Sequence, residues 1–149
     1  MPRFRLLLVW IPIAVFAAAC SGPFVLIPGG ELEGEIAPIP PDWSFTDEIS
    51  TIQIEANPTD PYSVNIWVTA VGDALYLHAG ANRAQWVEYL EADPHLRIKI
   101  EERIYELEAS RVTDAGEFAR FAERYEIKYG NRPRNENVTE VYLLRLEER

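Results

Sequence analysis

The stretch from Val64 to Val112 leaves the chain few ways to fold. Val64–Val71 and Ala74–Ala79 read as strands, the residues from Asn82 to Glu91 as a helix, and His95–Ile100 and Arg103–Val112 as two further strands. The helix carries Trp86 and Leu90 and has to stop at Pro94, because the residue before a proline is pushed out of the helical region. Along the first strand Val64, Ile66, Val68 and Ala70 share one face, and Asn65, Trp67, Thr69 and Val71 the other. A strand apolar on both faces must be covered on both, as in a barrel or a sheet buried from two sides.

The turns agree with this reading. Val71-Gly72-Asp73-Ala74 joins the first two strands as a tight antiparallel hairpin. After the helix, Leu96, Ile98 and Ile100 alternate with His95, Arg97 and Lys99. Glu101-Glu102 turns the chain, and Tyr105, Leu107 and Ala109 alternate with Glu106, Glu108 and Ser110. This second hairpin has one wet face.

Three more elements flank this centre. Ile49 to Glu55 alternates as a half-buried strand and is broken by Asn57-Pro58-Thr59-Asp60-Pro61. Asp114 with Glu117 forms an N-terminal capping pattern, and Phe118, Phe121, Ala122 and Tyr125 follow at i, i+3, i+4 and i+7, which predicts a helix from about Ala115 to Lys128. Gly130 and Pro133 end it. Val138 to Leu146 is the expected closing strand. Ile52, Ile54, Val64, Ile66, Val68, Leu75, Leu77, Trp86, Leu90, Leu96, Ile98 and Leu107 are expected inside, together with Phe118, Phe121, Val141 and Leu143. The helix of Phe118 to Tyr125 is expected to cover an opening of the barrel.

Before these elements lie two segments of different character. Arg3 and Arg5 make a short basic region, and the apolar run Leu6 to Phe16, interrupted by Pro12, is too short to span a bilayer stably. It ends in Ala17-Ala18-Ala19-Cys20, which resembles the lipobox of bacterial lipoproteins. The resemblance implies cleavage before Cys20, lipidation of its thiol and attachment to a membrane. An ordinary secretory signal cleaved after Ala19 and a short membrane anchor are the alternatives. Residues 1–19 are thus read as a signal peptide. Residues 20–41, rich in proline and glycine, are read as a tether, and 42–149 as one domain. Ser21 is neutral where an aspartate would resemble an inner-membrane retention signal, so the expected address is the bacterial cell envelope, and the outer membrane if two membranes are present.

Composition excludes some partners. The chain of 149 residues has a formal charge of −10, and loss of Arg3 and Arg5 with the leader makes it two units more negative. Such a chain is repelled by nucleic-acid backbones and anionic lipid surfaces, so no nucleic-acid partner is expected. With the single cysteine Cys20 acylated, no thiol is left for a disulfide, a metal or a nucleophile.

The order strand, strand, strand, helix, strand, strand, helix, strand, with Trp86, Leu90, Ala92, Pro94 and Leu96 at the helix-to-strand junction, resembles the split β-barrel superfamily. Its members include the pyridoxamine phosphate oxidases, flavin reductases and deazaflavin-dependent nitroreductases. In the nitroreductases the junction reads W-x-x-N-L-x-A-x-P, and Tyr89 stands here in place of the asparagine. The resemblance implies an α+β fold, a six-stranded antiparallel split barrel of the FMN-binding kind with two helices. It also implies a site for FMN or a deazaflavin beside the second and third strands, at a homodimer interface, with Arg83, Lys99 and Asn65 offering polar contacts. These families carry basic residues in the turn before the second strand, to hold cofactor phosphates. The turn Asn57 to Pro61 has none. The expectation is therefore no cofactor, a ligand-binding or interaction module, with a flavin- or deazaflavin-dependent oxidoreductase as the alternative.

No catalytic constellation is legible beyond that. His78 and His95 lack partners at metal-ligand spacing, and no metal site is expected. Ser63 and His78 lack any nucleophile turn of the G-x-S-x-G type. Arg83 suits either a solvated helix start or a phosphate contact, and Arg132 and Arg134 either an exposed loop or a cavity. Trp43, Trp67, Tyr62 and Tyr76 suit either the core or a site for a flat ligand.

Overall fold

The computed structural model describes residues 27–81 and 83–149; Arg3, Arg5, Cys20 and Asn82, with the signal peptide and lipidation expected there, lie outside the described residues. Six strands close on themselves: β2 (Thr51–Ala56), β3 (Tyr62–Val71), β4 (Ala74–His78), β5 (His95–Ile100), β6 (Arg103–Arg111) and β7 (Leu143–Glu148). The circuit runs β2-β3-β4-β7-β6-β5 and back to β2, every pair antiparallel. This is the six-stranded antiparallel split barrel with two helices. A short strand β1 (Glu35–Ile36) is added in parallel to β6.

Strict alternation fills the interior. Ile54, Val68, Leu75, Leu77 and Ile98 are fully buried there, and Ile54 sits opposite Val64 on one neighbour and Ile98 on the other. Helix α1 (Gln85–Ala92) packs Trp86, Val87 and Leu90 into the same core. It begins three residues later than expected, because Ala84 is extended (φ −85°, ψ 153°), and Pro94 follows its end. Trp43, just before a 3₁₀ turn at Ser44–Glu48, joins this core with its ring edge-on to Tyr105 at 5.1 Å.

Helix α2 (Ala115–Tyr129) corrects one expectation. It does not cover an opening. Phe118, Phe121, Ala122 and Tyr125 lie on the outer side of the barrel wall with Tyr76, Val141 and Leu143, in a second core separate from the first. Phe118, Phe121, Val141 and Leu143 thus belong outside the barrel, which is why β3, β4 and β7 are apolar on both faces. Asp114 caps the helix by accepting from Glu117 N–H at 2.7 Å, and Gly130 ends it at φ +78°. The closing strand is also shifted, to Leu143–Glu148. Asn137 accepts from the Thr139 N–H and hydroxyl, and its carbonyl accepts from Glu140 and Val141 N–H, so the residues before β7 form a turn.

A further correction concerns the tether. Its described part, 27–41, is laid against the barrel rather than hanging free. Gly29 exchanges two backbone hydrogen bonds with Ser63, both 2.9 Å, at the start of β3. Leu32, 2% exposed, donates its N–H to Glu55 on β2 and accepts from Arg97 on β5. Glu35 N–H then bonds to the Glu102 carbonyl in the turn before β6, and Ala37 N–H to the Ile104 carbonyl on β6. This strap crosses four strands. Packing begins well before the boundary expected at Asp42.

Candidate functional site

Outer side chains of β3 and β4 make the floor of a groove that combines an exposed aromatic, Trp67, with a buried unpaired nitrogen on His78. Alternation sets Asn65, Trp67 and Thr69 of β3 and Tyr76 and His78 of β4 on the outer side, where Phe121 and Tyr125 of α2 form a wall. They enclose a cavity of about 450 Å³. A second cavity of about 660 Å³ shares Trp67, His78 and Tyr125, and continues past Ala79-Gly80-Ala81 to Arg132, Pro133 and Arg134 after α2.

Trp67 dominates this groove. Its ring lies parallel to Tyr129 (4.7 Å between centroids, 11° between planes) and 6.2 Å from Tyr125, yet 52% of the residue remains exposed. Tyr129 is fixed by its hydroxyl. It accepts from Val68 N–H at 3.1 Å and donates to the Val68 or Ser50 carbonyl, beyond the last β2 residue paired to β3. Lys128 donates to the Thr46 and Val68 carbonyls, and Arg124 pairs with Asp47 at 2.9 Å, so polar contacts pin the helix to β3 and the 3₁₀ turn. The platform under Trp67 is therefore rigid.

His78 is the site's polar centre. Its ring lies 5.6 Å from Phe121, 6.2 Å from Tyr125 and 6.4 Å from Phe118, and its Nε2 is buried without a hydrogen-bond partner among the described residues. Burial pushes its pKa down, so the ring is neutral at pH 7. Burial and then the hydrogen bond to Glu117 push Tyr76 up to about 12, and burial pushes Tyr129 to about 12, so both phenols stay protonated. Tyr76 donates to Glu117 at 2.8 Å. The groove presents aromatic faces and neutral polar atoms.

The three residues expected to hold a cofactor are not gathered in one place. Asn65 lines the groove. Lys99 lies on the same outer row, Asn65 to Gln53 to Lys99, two strand spacings or roughly 10 Å away, and pairs with Glu102 at 3.7 Å. Arg83 is bound to Glu91, with Tyr142 beneath its guanidinium at 5.9 Å. Neither cation lines the groove. Of the four aromatics weighed for a flat ligand, Trp67 and Tyr76 do line it, whereas Trp43 is buried in the barrel and Tyr62 packs against Tyr89. Tyr125 is expected only as a helix residue, and Tyr129 falls one residue past the expected helix end at Lys128; their i, i+4 spacing, which sets both rings on one face, is the available signal. Among the described residues no three His, Cys, Asp or Glu side chains gather as metal ligands.

No protein-family model matches the chain, and no curated protein matches it. Solved structures do share its architecture. A conserved hypothetical protein from Mycobacterium tuberculosis aligns with a TM-score of 0.57 at 16% identity, over 70% of this chain and 76% of that one. A candidate pyridoxamine 5′-phosphate oxidase from Listeria innocua aligns at 0.55 and 12% identity, over 70% and 87%. A candidate 5-nitroimidazole antibiotic resistance protein from Bacteroides thetaiotaomicron aligns at 0.54 and 15% identity, over 69% and 75%. At these identities the likeness is one of fold. The shared architecture is the six-stranded antiparallel split β-barrel.

Proposed function

We propose that this chain is a ligand-binding module of the bacterial cell envelope, anchored through lipidated Cys20, whose groove over β3 and β4 takes a planar aromatic small molecule without a resident cofactor. The observation that carries this reading is Trp67, a large aromatic on a fixed platform with half its surface left to solvent. Stacking a flat ring there buries apolar area at little conformational cost, because the platform is already ordered. The neutral His78 beside it offers orientation without charge. Cofactor phosphates need several converging cations or amides. Here Arg83 is bound to Glu91, Lys99 to Glu102, and Arg132 to Glu126 and Glu136.

A second reading, a flavin- or deazaflavin-dependent oxidoreductase, is favoured by the place of the groove beside the second and third barrel strands, with Asn65 in its lining. The name of the Listeria protein, an oxidase, points the same way.

Two titrations of the purified chain separate these readings. N-phenyl-1-naphthylamine, an uncharged flat dye, is expected to bind with enhanced fluorescence and to lose that signal in Trp67→Ala. A signal indifferent to Trp67→Ala would overturn the groove reading. FMN and a 5-deazaflavin are expected not to bind at micromolar concentration, read by visible absorption. Tight flavin binding would overturn the cofactor-free reading and favour the oxidoreductase instead.

A further inference from the structure

We infer that the ligand of this groove is an aromatic acid carrying a single negative charge, its ring system on Trp67 and its acid group at Arg134. The inference rests on the reading of the groove as a ligand site and adds the charge of what enters it. Its first support is a contrast within the molecule. The chain has 24 acidic residues against 14 basic ones, yet neither of the two cavities that meet at Trp67 and His78 is lined by a carboxylate. Elsewhere the acidic excess is visible: the cleft at Arg97 is lined by Glu31, Glu55 and Glu106, and the cleft beside Trp43 by Asp73, Glu147 and Glu148. An anion would meet repulsion at either of those clefts, and none from the groove's own lining.

The second support is the disposition of the two arginines in the lining. Arg132 is held at 2.6 Å by Glu136 and at 3.2 Å by Glu126, so its charge is satisfied and these two carboxylates are turned to it. Arg134 is exposed and has no carboxylate partner among the described residues, with Asn131 and Asn135 beside it in the same lining. One free guanidinium matches one carboxylate or sulfonate by a pair of parallel hydrogen bonds. It does not make the multiple-cation nest that a phosphate chain uses. Trp67 and Arg134 line one cavity, so a single rigid molecule can reach both.

The test compares two dyes that differ by one group, 8-anilinonaphthalene-1-sulfonate and the uncharged N-phenyl-1-naphthylamine, titrated into the purified full chain. The sulfonate is expected to bind roughly two- to fivefold more tightly, the scale of a solvent-exposed ion pair. In Arg134→Gln that preference should vanish while the uncharged dye binds as before, and in Trp67→Ala both signals should fall. Equal affinities in the wild-type chain, or a preference that survives Arg134→Gln, overturn the inference and leave the groove reading standing. Failure of either dye to respond to Trp67→Ala overturns both. Arg134 is an exposed loop residue, so its replacement leaves both cores untouched and the comparison does not depend on a folding defect.

Discussion

His78 places an imidazole where water cannot solvate its Nε2 and, among the described residues, no protein group replaces the water. An unpaired buried nitrogen costs about 1–3 kcal/mol, and protonating the ring inside the Phe118, Phe121 and Tyr125 cage costs more. The sign of the pH effect follows from the direction of the shift. The folded state holds the ring's pKa below the ordinary value of 6.5, so below that pH the unfolded chain takes up a proton that the folded chain refuses. Stability is complete above pH 6.5 and falls as the pH drops toward the folded pKa, with a slope of at most about 1.4 kcal/mol per pH unit from this group. In His78→Phe that part of the slope should disappear, and stability at pH 7.5 should be equal or higher. Urea denaturation at pH 7.5 and 5.5 checks both statements, and an unchanged difference between the two pH values would remove the role given to His78.

Among the elements, the strap departs most from what its composition suggested. Its proline and glycine content predicts a tether, and the composition is indeed poor in ladder donors. What holds the strap lies elsewhere in the chain. Glu55 is 5% exposed and accepts two hydrogen bonds from Arg97, at 2.8 and 2.6 Å, plus the Leu32 N–H, so the clamp is formed by residues 42 positions apart. At Gly34 the strap comes so close to β6 that an added Cβ would meet the Glu102 carbonyl oxygen at 2.8 Å and Ile104 Cγ1 at 3.0 Å. Gly34→Val is therefore expected to lift β1 from β6 and to destabilise the chain by about 1–3 kcal/mol. Limited proteolysis should then cut within 27–41, where the wild-type chain is expected to resist, and equal susceptibility of the two chains would show that the strap contributes no protection. The six barrel strands and two helices were legible because period-2 and period-3.6 patterns report local burial directly. The strap was not, because its register is set by side chains of β2 and β5. The second core was half legible: two-sided burial of β3 announced a covering layer, but periodicity does not say whether a helix lies over the outer wall or across an end.

At the scale of the whole molecule, the strap changes what the lipid-anchor proposal implies. Among the described residues the strap is bonded to Ser63 of β3 at Gly29, so at most eight residues separate Cys20 from the barrel. An extended chain of that length reaches about 25 Å, so an anchored domain is held close against the bilayer rather than far out on a flexible stalk. The folded part does not hold itself there by charge. Without its leader the chain is more negative than −10, and anionic headgroups repel it. Among the described residues no helix is long and apolar enough to cross a membrane. Attachment in this proposal accordingly rests on acyl chains at Cys20, and two or more chains hold firmly where one is marginal. In bacterial cells Cys20→Ala should abolish the lipid modification and yield a chain that is either unprocessed, with its leader retained, or released into the soluble fraction. Fractionation with immunoblotting and intact-mass analysis reads both outcomes. A Cys20→Ala product of normal mature size that stays in the membrane fraction would overturn the anchor.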